Sequence, residues 1–349
     1  MRYSRLGSSG LIVSRLSFGT MTLSSGDPMF GIAKTQGSDV DAIVGQAIDG
    51  GINFFDTADI YANGQSEEVL GRALAAVRDQ VVIATKVAGR VGSPLVQAGL
   101  SKRHITWEIE QSLRRLGTDW IDLYIAHNED PHTPLEETLE ALDAVVRSGK
   151  ARYLGFSNWS AWKVAAALEL QKANGWAPFT HGQMYYSLLG RDIERDLVPL
   201  TERYGIGITV WSPLASGFLS GKYARGAAAD PDNRLSAIDF IPFDKEKAFD
   251  VVDELRSIAN DIGATVPQVA LAWLLAKRAV SSVVVGASKP SQLADNLGAI
   301  DLSLDSTTIE RLDALTTPTE IYPHWHWRQF GDAAARDALA LSRSMTGSK

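Results

Sequence analysis

VVIATKVAGRVGSPLVQAGLSKRHITWEIEQSLRRLGTDWIDLYIAH, residues Val81–His127, decides the fold. Val81–Thr85 is a short apolar, β-branched run of the length a buried strand takes. Ser101 offers a helix N-cap. Beyond it Ile105, Ile109, Ser112, Leu113 and Leu116 fall on one face at helical spacing. Gly117 offers a left-handed helix ending. Ile121–Ile125 is a second strand-like run. Strand, helix, strand is the unit of a parallel sheet, because parallel neighbours need a long crossover.

The same alternation spreads outward in both directions. Strand candidates lie at Leu16–Phe18, Asn53–Phe55, Tyr153–Phe156, His181–Met184, Ile208–Trp211 and Ser282–Val285. Helical faces lie between them, such as Val40, Ile43, Val44, Ala47 and Ile48, or Leu135, Leu139, Leu142 and Val146. Ser38, Ser66, Ser101, Thr133–Pro134, Ser160 and Ser291 mark helix starts. Eight strands in βα units predict an α/β fold, a closed (β/α)8 barrel, formed as a single domain over residues 1–349. No G-x-G-x-x-G string occurs, which argues against an open dinucleotide-binding sheet. Ala215–Asp244 is too long for an ordinary βα loop, and a tail follows Ile321. That tail is expected over the catalytic face.

The 349 residues are 45% apolar and 21% charged, ordinary for a globular protein. Against 41 acidic residues stand 34 Lys and Arg, a net charge of −7. No broad basic surface is implied, so neither nucleic acid nor a membrane is an expected partner. Cysteine is absent, which excludes disulfides, thiolate metal sites and cysteine nucleophiles. The N-terminal apolar run is shorter than the ~7–15 residues of a secretory signal. A cytoplasmic location is expected.

In a barrel of this kind, polar residues just past the strands stand at the catalytic face. Asp56 ends the second strand, with Tyr61 in the following loop. Lys86 ends the third and His127 the fourth. Each has an ordinary explanation alone: a cap, a solvated strand end, a satisfied histidine. Together their chemistries interlock. A buried lysine beside an aspartate keeps its charge, and that charge stabilises a tyrosinate. The tyrosine can then give a proton to a carbonyl oxygen. Ser157, Asn158 and Gln183 offer donors and acceptors suited to a primary carboxamide. Trp211 offers a flat face for a ring. Gly286–Asn296 leads from the eighth strand into a helix N-terminus, where anions are favoured.

The chain resembles the aldo-keto reductase family over nearly its whole length. Arg5–Met21 looks like the family's N-terminal β-hairpin and first strand. Gly50–Tyr61 (GGINFFDTADIY), Ile83–Val87, Asp122–His127, Gly155–Asn158, Trp211–Tyr223 and Gly286–Asn296 resemble its other motifs in order. It is more similar to the bacterial and potassium-channel β-subunit branch than to the aldose reductases. The resemblance implies NADPH and a small carbonyl or alcohol substrate. Asp56, Tyr61, Lys86 and His127 match the catalytic tetrad, with Tyr61 as general acid. Gly19, Thr20 and Met21, with Asp56, match the first cofactor contacts. Ser157, Asn158 and Gln183 match the carboxamide binders, and Trp211 the nicotinamide stacker. Ser212, Pro213, Leu214, Ser216, Gly217 and Lys222 match the pyrophosphate loop, with Arg234 a candidate on the adenine side. Gly286, Ser288, Gln292, Asp295 and Asn296 match the adenosine end.

Two departures stand out. Asp295 replaces a frequent glutamate, and Gly286 and Gln292 replace the cations that grip a 2′-phosphate in aldose reductases. NADH is therefore left open beside NADPH. A nucleotide-loaded, redox-sensing binding subunit with little turnover is the alternative function, although no long N-terminal extension precedes Met1–Arg5 and no inactivation arm is expected. A Schiff-base aldolase through Lys86 is disfavoured, since Asp56 would keep the amine charged. His324-Trp325-His326 lacks a fixed third ligand, and no metal is expected. Trp325 and Trp327 are expected to close over the substrate or pack on the barrel. The substrate and the oligomeric state are not legible.

Overall fold

The computed structural model describes residues 1–27, 29, 31–226, 235, 239–335 and 337–339. Eight parallel strands close into a barrel: β3 (Leu16–Gly19), β4 (Phe54–Asp56), β5 (Val82–Val87), β6 (Ile121–Ala126), β7 (Ala151–Ser157), β8 (Phe179–Tyr185), β9 (Gly207–Trp211) and β10 (Val280–Val285). β10 pairs with β3, Val283 facing Leu16, and seals the ring. Every predicted strand is found, shifted at its ends by a residue or two. The shift in β4 is the informative one, since it brings Asp56 into the strand, opposite Gly19 on one side and Ala84 on the other.

Strand alternation sorts the residues. Phe54, Val82, Ala84, Leu123 and Ile125 form one buried cluster. Phe55, Ile83 and Tyr124, their neighbours in sequence, belong to the larger core shared with the helices. The first set continues by twos to Asp56, Lys86 and His127. Side chains near the ends of β4, β5 and β6 therefore converge on the barrel axis.

The hairpin β1 (Tyr3–Arg5) and β2 (Ile12–Ser14) plugs the opposite mouth. Leu6 and Val13 join the inner cluster, Ser8 N donates to Gly205 O, and Ser4 Oγ donates to Ser281 O. Gly7 has φ +60°, and a Cβ there would lie 2.4 Å from Gly205 O and Gly207 N. Only glycine permits that approach.

The helices flanking the barrel are α1 (Ser38–Asp49), α2 (Gln65–Leu74), α3 (Lys102–Leu116), α4 (Leu135–Arg147), α5 (Ala161–Asn174), α6 (Leu197–Tyr204), α7 (Lys245–Ile262), α8 (Val266–Leu275), α9 (Pro290–Gly298) and α10 (Ser306–Leu315). Ser101 caps α3 as predicted, accepting from His104 N. Ser66 does not cap α2; Gly64 holds that position, and the Ser66 hydroxyl joins a buried chain with Thr20 and Thr57 instead. No single helix among the described residues is long and apolar enough to cross a membrane.

The chain divides into two compact units, Met1–Thr316 and Thr317–Lys349. The second holds α11 (His324–Phe330), a cis Tyr322–Pro323 bond and an Arg328–Glu320 ion pair.

Candidate active site

Lys86 is fully buried, and its ammonium makes three contacts. Nζ donates to Asp56 Oδ2 at 2.7 Å, to Thr57 O at 2.7 Å and to Tyr61 Oη at 3.3 Å. A buried cation is costly unless paired and hydrogen-bonded, and here every contact is to an oxygen. Burial pulls the Lys86 pKa down, but Asp56 and Tyr61 outweigh it, and the pKa lies above its ordinary value. The ammonium also sits 4.8 Å from the Tyr61 ring centroid. Tyr61 opens a tight turn, and Ala62, Asn63 and Gly64 behind it all have positive φ. Non-glycine residues in that region store strain, which is common at functional sites.

His127 meets Tyr61 edge to face, 5.9 Å between centroids. The residue is half-buried, and Nδ1 is shut off from solvent without a partner. Burial first, then the charge of Lys86, pushes its pKa down to about 3. At neutral pH it is an uncharged imidazole, with one N–H donor and one acceptor nitrogen. All four residues of the predicted tetrad are thus brought together at one barrel mouth.

The sites expected to hold a nucleotide fall into three places. Asn158 (φ +57°) donates to His127 O and accepts from Trp211 Nε1 at 3.1 Å, so it holds the indole at the mouth. Ser157 Oγ accepts from Asn158 at 3.0 Å. Phe240 lies nearly parallel to Trp211, 6.1 Å between centroids. Gln183 is turned inward, its Nε2 donating to Asp56 Oδ1 at 2.6 Å. Thr20 is fully buried, bonded to Asp56 O and Ser66, and extends the same network. Gly19 packs so tightly on Val284 that a Cβ would sit 2.7 Å from its methyl, and Met21 follows, half-buried.

The second place is the turn after β9. Ser212, Ala215, Ser216 and Gly217 all have positive φ, with Pro213 and Leu214 between them. Ser216 N donates to Ser212 Oγ, while Ser216 Oγ is buried without a partner. Lys222 Nζ stands 3.6 Å from where a Cβ on Gly217 would lie. Left-handed backbone, an orphan hydroxyl and an ammonium form a donor set that fits a phosphate. Arg234 lies outside the described residues.

The third place is the start of α9. Gln292 Oε1 accepts from both Ser288 N and Oγ, and Gly286 is exposed beside them. Asn296 is buried. The Asp295 carboxylate accepts from Thr265 Oγ1 and Gln268 Nε2, fastening α9 to the capping box of α8. No motif reading pointed to that contact.

Sequence reasoning also passed over His181, which lies inside the barrel with Nε2 2.6 Å from Thr209 Oγ1. Its signal was available: it alternates with Gln183 on β8.

A model of the Aldo/keto reductase family matches residues 15–317. The chain is 39% identical over 333 residues to a Schizosaccharomyces pombe protein named "Putative voltage-gated potassium channel subunit beta", covering 90% of this chain and 94% of the relative. Two plant proteins named "Probable voltage-gated potassium channel subunit beta" are each 36% identical. The one from Oryza sativa subsp. japonica covers 90% of this chain and 96% of its own length. The one from Arabidopsis thaliana covers 86% and 92%.

Proposed function

Because this chain belongs to the aldo/keto reductase family, we propose that it reduces an aldehyde or ketone to an alcohol with NADPH, Tyr61 acting as general acid. The observation that carries this reading is the Lys86 ammonium, buried and shared between Asp56 and Tyr61. When Tyr61 Oη gives its proton to the carbonyl oxygen, the phenolate left behind faces a fixed positive charge 3.3 Å away. That charge is in place before the reaction, so no reorganisation is needed. Asp56 holds the lysine, and Gln183 holds Asp56. Neutral His127, against the Tyr61 ring, hydrogen-bonds the carbonyl oxygen and orients it.

NADPH, when bound, would supply the hydride. Its residues in this chain would be Asn158 and Ser157 at the carboxamide, Trp211 against the ring, and Ser212–Gly217 with Lys222 at the pyrophosphate. The orphan Ser216 hydroxyl and the left-handed turn support that assignment. Ser288 and Gln292 are uncharged, so NADH remains a competing reductant.

Replacing Tyr61 by Phe removes the acid and leaves the ring. Carbonyl reduction should fall by about 10²–10⁴-fold, while NADPH still quenches tryptophan fluorescence. Normal turnover by Tyr61→Phe would refute the assignment of the acid.

The names of the relatives favour a second reading, a nucleotide-loaded subunit that senses redox state for a channel-like partner. Tight NADPH binding with no consumption across a panel of aldehydes would support it. Sustained consumption would exclude a purely binding role.

A further inference from the structure

A second cluster of ionisable side chains lies outside the barrel wall, beneath the loop that carries Tyr61. Asp59 comes from that loop, and His104 and Glu108 from adjacent turns of α3. One ligand atom from each lies within 4.8 Å of the other two. Asp59 is 1% exposed and the other two are fully buried. Asp59 Oδ2 and Glu108 Oε2 have no hydrogen-bond partner, and the His104 ring, without one of good geometry at either nitrogen, is drawn only to the Gly89 backbone. Tyr124, on the outward face of β6, is a separate witness. Its phenol is fully buried, also unpartnered, and feels the charges of Asp59, Glu108 and Glu67.

Charge balance sharpens the picture. Glu67, from α2, accepts from Thr85 and pairs with Arg115, which also pairs with Glu108. Three carboxyl groups thus share one guanidinium, and burial, with Glu108 and Glu67 close by, raises the Asp59 pKa well above the usual carboxylate range. Arg90, the cation His104 feels, is exposed and bonded to the Gly92 and Pro94 carbonyls. Burial lowers the pKa of His104, against a backbone contact with Gly89 that raises it; a neutral ring so held by one nitrogen has its other nitrogen for an ion.

We propose that Asp59, His104 and Glu108 bind a divalent first-row transition-metal ion between the barrel wall and α3. Ligands ~2.0–2.2 Å from such an ion stand roughly 3.4 Å apart in a tetrahedron and roughly 3.0 Å (cis) or roughly 4.2 Å (trans) apart on an octahedron. The cluster, within 4.8 Å throughout, would close on the ion by a small inward shift of its side chains. One nitrogen and two carboxylates suit such an ion. Asp59 Oδ1 accepts from Ile60 N at 2.8 Å, and Tyr61 follows directly. The ion would therefore fasten the Tyr61 loop to α3. Asp59 would be a metal ligand and, for Tyr61, a positioning residue.

The test uses the full chain with His324 and His326 replaced by Asn, so that the tail cannot bind metal. Chelator-stripped protein is titrated with Co²⁺, following the visible ligand-field bands and the metal content after dialysis. One equivalent per chain is expected. His104→Asn and Asp59→Asn, on two different elements, should each weaken binding about tenfold or more, with an unchanged circular dichroism spectrum. Less than about a tenth of an equivalent in the parent would overturn the proposal and leave a shared proton as the occupant of the cluster. So would undiminished binding in both variants.

Discussion

Acid should destabilise this protein through a histidine shut inside the barrel. His181 is fully buried in the barrel, and burial first, then the Lys86 charge, pushes its pKa down to about 3. In the unfolded chain it titrates near 6.5. The native state thus refuses a proton that the unfolded state accepts. Stability from this group is complete above about pH 6.5 and drains away as pH falls toward 3. A drop from about 6.5 to about 3 is worth about 5 kcal/mol in full, of which about 2 kcal/mol is lost by pH 5. His181→Asn removes the linkage and adds a pH-independent packing cost. The assay is urea unfolding of wild type and variant at pH 8 and pH 5. The stability gap between them should narrow by about 2 kcal/mol at the lower pH. A gap that stays constant, or a His181 imidazole titrating near 6.5 by NMR in the native protein, would refute the reasoning.

Two further changes probe packing and fastening. Gly71→Ala would normally favour a helix, but its Cβ would lie 2.3 Å from Leu116 O where α2 crosses α3; a loss of about 1–3 kcal/mol in urea unfolding is expected, and a gain would show that the two helices separate freely. Asp295→Ala strips the acceptor from Thr265 and Gln268 and should cost about 1 kcal/mol; an unchanged thermal midpoint would mean that this contact does not hold α9.

The barrel and three of the four residues of its mouth were legible because both follow from short-range rules, while Tyr61, on a loop, was legible only from its motif. Period two along each strand, applied to a parallel ring, puts Asp56, Lys86 and His127 on one axis whatever the loops do. Other features depended on rotamers and distant partners. Gln183 reaches Asp56 across 127 positions of sequence, and its carboxamide could equally have pointed outward. The bond from Thr265, 30 positions away, to the Asp295 carboxylate was likewise hidden, because the motif on α9 says nothing of which α8 side chain faces it. His104 and Glu108 were hidden for another reason. They share the buried side of α3 with Ile105 and Ile109, and a periodicity search that counts apolar residues passes over polar ones on the same stripe.

The seam between β10 and β3 has a consequence for how the protein is made. Ser282 Oγ donates to Ser14 O across 268 positions, and the sheet closes only when Val283–Val285 reach Leu16–Phe18. During synthesis the first strand must wait, with one edge unpaired, until nearly the whole chain has left the ribosome. Such non-local closure slows folding and exposes strand edges meanwhile. The nascent chain is therefore a natural client for chaperones until the last strand arrives.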